Sequence, residues 1–188
     1  METRDLLLSK ALELFAARGY DAVGVQEIVG AAGVTKPTLY HHFGSKEGLF
    51  AALLEREGRP LLTTLAGAAR YDHDLIATLE RIAERYLTFA QTQSMVYRLI
   101  ATCSLAPPES EAFRIGHPYV EGQQKLLEAL FEAASEDHGN MRGRARPYAM
   151  SFLGLLGSAA RLLLANELTP DEGLTYMLVK QFSYGIYT

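Results

Sequence analysis

Residues 25–50, VQEIVGAAGVTKPTLYHHFGSKEGLF, constrain this chain more than any other stretch. Val25, Ile28, Val29, Ala32, Val34, Leu39 and Phe43 recur at helical spacing and can all turn inward. A glycine takes positive φ without a Cβ clash, so Ala32-Gly33-Val34 predicts a tight turn between two short helices, 25–32 and 36–42. Thr35 is placed to cap the second helix, and Pro37 falls in its first turn, where a missing N–H is harmless. Ser45 then caps a longer helix that runs towards Glu57. The second short helix is left with an outward face of Thr35, Lys36, Thr38, Tyr40, His41 and His42. Such groups donate to base edges and phosphates, and their carbon atoms meet thymine methyls. Ser45-Lys46 opens a helix whose free N–H groups and lysine make a phosphate clamp. The pattern predicts a helix-turn-helix that lays a helix in a major groove; a small helical bundle with a polar face is the other reading of this spacing.

No stretch alternates with the two-residue period of a strand, so the chain reads as all-α, with about nine helices. The first starts after Thr3 as N-cap and ends at Arg18-Gly19 with a stripe of Leu8, Leu12 and Phe15. Beyond Gly58-Arg59-Pro60 the helices lengthen, near 61–69, 73–92, 94–104, 109–136, 146–166 and 171–186. Pro107-Pro108 is a break, 136–146 a loop rich in glycine and charge, and 168–171 a helix boundary. The expected division is a three-helix DNA-binding domain at 1–58 and a helical ligand-binding and dimerisation domain at 59–188.

Composition excludes several classes. Apolar residues are 48% of the 188, too many for a disordered chain. A lone cysteine, Cys103, cannot form an internal disulfide and fits a reducing cytoplasm. Leu6 to Leu8 run into Ser9, Lys10 and Glu13, an amphipathic pattern rather than a leader. No apolar run is expected to reach the roughly 18 residues of a membrane span, since the longest, 148–165, carries Arg161. Net charge is −4, and residues 1–59 hold seven Lys/Arg against eight Asp/Glu, so DNA affinity must come from a few placed cations, helix N-termini and neutral donors.

The run EIVGAAGVTKPTLYHHFGSKEGLF closely resembles the DNA-binding signature of the tetracycline-repressor (TetR) family. Ala32-Gly33-Val34, Leu39-Tyr40, His42-Phe43, Ser45-Lys46-Glu47 and Leu49 carry it, with Leu14-Phe15 and Gly19-Tyr20 upstream. The match covers residues 3–57; beyond 60 only length and helical pattern agree. Gly24 departs from it, standing where many members have a Ser or Thr that caps the second helix and touches phosphate. The resemblance implies that Thr35, Lys36, Pro37 and Thr38 face bases and that Tyr40 and His42 hold phosphates. It places His41 near the backbone or a base, and gives Lys46 a phosphate. Tyr40 has a second reading, a half-buried ring with only its hydroxyl engaged.

The resemblance also implies a homodimer through the last two helices. The small and large apolar residues of 148–166, with Leu174, Met177, Leu178, Phe182 and Ile186, agree with helix-on-helix association; a fully buried monomeric core is the alternative. It implies a ligand pocket in 60–147, for which Tyr86, Phe89, Tyr97, Cys103, Phe113, His117 and Tyr119, with Phe152, are candidate liners or plain core. Many aromatics and few lysines suit a small apolar or aromatic effector. An enzyme is not expected: adjacent His41 and His42 diverge on a helix, His73, His117 and His138 lack ligand spacing, and Cys103 with His117 would pair only by accident of folding. No cofactor or membrane partner is expected. The expected function is a cytoplasmic, homodimeric, ligand-responsive regulator, a repressor released from a near-palindromic operator. A ligand-independent architectural or partner-binding DNA protein is the alternative.

Overall fold

The computed structural model describes residues 2–170 and 173–185. Among them the chain is all-α, with ten α-helices: α1 (Thr3–Arg18), α2 (Val25–Ala32), α3 (Lys36–Phe43), α4 (Lys46–Glu57), α5 (Arg59–Ala68), α6 (Leu75–Thr92), α7 (Ser94–Ser104), α8 (Glu111–Ala134), α9 (Ala145–Leu164) and α10 (Leu174–Tyr184). Several helix ends differ from expectation by one or two residues, and α5 starts at Arg59, with Pro60 in its first turn, where its missing N–H is harmless. Thr3 lies inside α1, because the Leu6 N–H already bonds the Glu2 carbonyl and closes a turn around it. The loop at 136–146 contains a 3-10 turn, Gly139–Met141, and ends earlier, at the start of α9. Of the expected final helix, residues 171, 172 and 186 lie outside the described residues, as does Asp171 of the expected boundary.

By packing, the chain falls into two compact units. The first comprises Met1–Pro60 with Met95–Val120, the second Leu61–Ser94 with Glu121–Thr188. In the first, α1 packs on α2, α3 and α4 around buried Leu7, Leu8, Phe15, Ile28, Val29, Leu39, Leu49, Phe50, Leu53 and Leu54. Each such side chain contributes about 1.5–3 kcal/mol on burial. Within this unit α7 and α8 approach closely at Gly116, where an added Cβ would stand 2.3 Å from the Cys103 Cβ.

In the second unit α6 packs on α9 and α10 through Leu79, Ile82, Ala83 and Tyr86 against Phe152, Leu156, Ala160, Leu178 and Val179. Phe182 closes the unit, its ring 4.9 Å from Phe152 and 5.9 Å from Phe131. The helix α9 corrects the membrane-length expectation: it is 20 residues long, and its best 18-residue window has a mean hydropathy of 1.3, enough by length and composition to cross a bilayer. Arg161 alone does not offset so many aliphatic neighbours. The buried part of the helix faces the core through Ala149, Phe152, Leu156, Ala159, Ala160 and Leu163.

Candidate nucleic-acid interface

The turn before α3 forms as its residues dictate. Gly33 sits at φ 64°, ψ 29°, in the left-handed region, and its N–H bonds back to the carbonyls of Val29 and Gly30. The helix α3 then presents almost everything it has. Leu39 is buried and anchors it, while Thr35, Lys36, Pro37, Tyr40, His41 and His42 are exposed and Thr38 is half-buried. Tyr40 is 46% exposed, so its ring is not enclosed in the core. Thr35 occupies the N-cap position without capping through its side chain; its hydroxyl lies 2.9 Å from that of Thr38. The two histidine rings stand edge to face at 5.4 Å, on the same exposed end.

The corner after α3 is held by Ser45, whose hydroxyl accepts the Gly48 N–H at 2.9 Å. Gly48 is required there, since a Cβ would meet the Phe43 carbonyl oxygen at 2.1 Å. Lys46 is half-buried and turns inward: its Nζ donates to the carbonyls of Tyr20 at 3.0 Å and Val23 at 3.1 Å, and lies 4.0 Å from the centre of the Tyr20 ring. Tyr20 in turn packs on Phe15 and Phe50, and its hydroxyl donates to Glu111 of α8. Burial first, then the hydrogen bond and charge of Glu111, push the Tyr20 phenol far up, so it stays protonated as a donor.

The N-terminus of α2 is already occupied. The Glu27 carboxylate accepts the Gly24 N–H at 3.0 Å and pairs with Arg18, which also bonds the Ala22 carbonyl at 2.9 Å. The Gly24 bond and then Arg18 hold the Glu27 carboxyl below its ordinary value. An anion on the helix N-terminus leaves little room for a phosphate there. Arg4 of α1, which its sequence position does not single out, lies with its guanidinium 5.5 Å from the centre of the Phe43 ring, beside the exposed end of α3. Gly48 carried a readable signal, a glycine in the first turn of a helix, and Glu27 another, an acidic residue three positions after the N-cap Gly24; Tyr20 and Glu111 meet only in the fold.

The eight candidate liners do not fall in one unit. Tyr97, Cys103, Phe113, His117 and Tyr119 belong to the first, and Tyr86, Phe89 and Phe152 to the second. In the first, Phe113 and His117 stack at 4.4 Å, and Tyr119 donates to Glu55 at 3.4 Å, with burial chiefly raising its phenol to about 12. Burial also pushes the Cys103 thiol up to about 11, which keeps it a thiol rather than a nucleophilic thiolate. In the second unit Tyr86, Phe89 and Phe152 are core residues. An open groove of about 770 Å³ in that unit is walled by Glu80, Arg81, Glu84, Gln91, Leu174 and Tyr176 among others, a more charged lining than the apolar one expected.

Comparison with known proteins places this geometry. The model of the bacterial regulatory proteins, tetR family, matches residues 7–53, which run from α1 through most of α4. The HTH-type transcriptional activator FasR of Mycolicibacterium smegmatis is 33% identical over 189 residues, covering 98% of this chain and 82% of that protein. The HTH-type transcriptional repressor NemR of Escherichia coli is 40% identical over 144 residues, covering 73% and 71%. Among solved structures, the transcriptional regulator FadR from Bacillus subtilis in complex with stearoyl-CoA shares the fold at a TM-score of 0.77 and 16% identity, covering 97% of this chain and 98% of that one. The helix-turn-helix, the all-helical architecture and a likeness spanning nearly the whole chain agree: this chain belongs to the tetR family of bacterial regulatory proteins, which are DNA-binding transcriptional regulators.

Proposed function

We propose that the chain is a cytoplasmic, homodimeric repressor that docks α3 in the major groove of a near-palindromic operator and leaves it when an effector binds within residues 59–188. The observation that carries this reading is the face of α3: Lys36, Pro37, Tyr40, His41 and His42 are exposed around one buried anchor, Leu39. Thr35 to Thr38 would meet base edges, and Tyr40 and His42 phosphates. Exposed Met150, Tyr176, Met177 and Tyr184 on α9 and α10 support association with a second copy. Two recognition helices then require half-sites about 34–36 Å apart, or a multiple of that. An effector with both an apolar and a charged part suits the mixed lining of the groove in the second unit, and the likeness to FadR in complex with stearoyl-CoA favours an acyl-CoA.

Two readings of the sign compete on a specific observation. The likeness to the activator FasR spans 98% of this chain, whereas that to the repressor NemR spans 73%. The same geometry serves activation if the bound dimer helps rather than blocks a polymerase. A reporter placed behind the selected operator separates them, since repression requires expression to rise when the protein is removed.

Selection from a random DNA pool should enrich a two-fold motif, and a pool that stays random would refute operator binding. On the selected site, Lys36→Ala should cost about 1–3 kcal/mol and relax the preference at the base pair it meets. A panel of acyl-CoAs and aromatic acids should contain one that weakens DNA binding about 5- to 150-fold, with the operator weakening that molecule's binding by the same factor. A panel member that binds without changing operator affinity argues for the ligand-independent alternative.

A further inference from the structure

We propose that Lys46 is a positioning residue rather than a phosphate contact: it fastens the α3–α4 corner to the turn between α1 and α2 and so sets how α3 meets DNA. The inference rests on the reading of α3 as the recognition helix. An ammonium has three N–H donors and no acceptor. Two of the Lys46 donors are aimed at the Tyr20 and Val23 carbonyls, and the face of the Tyr20 ring lies 4.0 Å from Nζ. Tyr20 and Val23 are 4% and 1% exposed, and if Nζ swung out to a phosphate both of their carbonyls would lose this donor.

Electrostatics points the same way. Lys46 is the first residue of α4, the positive end of that helix dipole, where a cation is disfavoured unless something else holds it. The turn carbonyls are that something. Asp21, Glu47 and Glu111 also lie near Tyr20, and Arg114 reaches Glu47 at 3.5 Å. Carboxylates therefore gather around the Tyr20 side chain, against whose ring the ammonium rests. Fastened there, Lys46 fixes the residue that follows the Gly44-Ser45 corner, and through it the C-terminal end of α3, which carries Tyr40, His41 and His42. A small rotation of that end moves all three donors together, which affects recognition of a particular sequence more than attraction to DNA in general.

The test uses the full-length protein with Lys46→Arg and Lys46→Met. Arginine keeps the charge, but its planar fork cannot serve two carbonyls and a ring face in the tetrahedral arrangement of an ammonium. In the DNA-free protein, amide exchange across residues 20–24 should quicken at least tenfold in both variants. Preference for the selected operator over random DNA should fall about tenfold in both, with the salt slope unchanged within 0.3. Loss of fold alone lowers operator and random binding equally and leaves the preference intact, so an intact preference overturns the positioning role. A phosphate contact predicts the opposite pattern: arginine behaves as the parent, methionine lowers the slope by about 0.9, and exchange does not change. If the parent protein selects no operator, the DNA reading falls and the positioning role with it, while the exchange result still decides whether the clamp itself exists.

Discussion

The helix α3 and the α9–α10 pair both leave much of their surface exposed, and they expose opposite chemistry. The helix α3 shows Lys36, Tyr40, His41 and His42 and hides Leu39. The pair α9–α10 shows Met150, Tyr176, Met177 and Tyr184, and the small Gly154 and Ser158 of α9 are exposed as well. Burial alone does not distinguish the two, since each anchors through aliphatic or aromatic side chains. What a helix leaves outside does: donors and rings suit a polyanion, whereas methionines and small residues suit another apolar helix. The polar clamps follow the same division. Around α3 they fix backbone turns, at Glu27, Ser45 and Lys46, where the short helix itself buries Leu39 alone.

The largest effect that would sharpen this comparison is a cavity under α3. Leu39→Ala removes the one buried side chain of the helix and should cost about 2–5 kcal/mol, read as a fall in denaturant midpoint at constant m-value. Amide exchange should quicken through α1 to α4 and stay unchanged in α6 and α9. Uniform acceleration of every helix would show that the two units share one cooperative transition, and the contrast between them would then be one of surface alone.

Much of the first unit was legible in the sequence, and the reasons are local. Gly33, Pro37 and Ser45 each act within four residues of themselves, so turn, first-turn proline and cap could be read from the letters and stand as expected at φ 64° and in the 2.9 Å cap bond. Lys46 could not be read that way. A lysine opening a helix in a DNA-binding run looks like a phosphate ligand; only the fold brings it to carbonyls 23 and 26 residues away. The grouping of residues 95–120 with the N-terminal helices was hidden for the same reason, since bonds such as Tyr20 to Glu111 span 91 positions. Periodicity found the helices α7 and α8 without saying what they pack against. The eight aromatic and sulfur candidates show the limit most plainly: residue type marks a side chain for burial, and core and pocket draw on the same types.

The exposed side of α9 and α10 supplies the next test. Met177→Glu places a charge on a surface that the proposed dimer buries, and the two-fold symmetry places it there twice. Dissociation of the dimer should become at least tenfold easier, about 1.4 kcal/mol, by sedimentation over a range of concentrations. The monomer's helicity should not change, because the side chain is about half exposed within one chain. Unchanged association would mean that the apolar face serves something other than a second copy, and the contrast with α3 would need a different partner.

The smallest effect concerns the polar tie in the second unit. Tyr71 donates to Asp137 at 2.8 Å, and His73 Nδ1 lies 2.7 Å from the same carboxylate oxygen, joining the loop before α6 to the segment after α8. Asp137 raises the His73 pKa above its ordinary 6.5, and His73, then Tyr71, lower that of Asp137 below 3.8. The histidine's contribution is therefore complete below 6.5 and is lost as pH rises through the raised value; the aspartate's is complete above 3.8 and is lost as pH falls through the lowered one. The tie is strongest from about pH 4 to 6.5, with Asp72 and His138 as its charged neighbours. His73 is 79% exposed and held at φ 56°, so water screens the pair and asparagine tolerates the backbone. Relative to His73→Asn, the parent should lose thermal stability as pH rises from 5.5 to 8.5. By contrast, the Glu27 clamp of the first unit, complete above the ordinary carboxylate value, should hold steady across that range. Parallel curves for parent and variant would show that the imidazole contributes no stability of its own there.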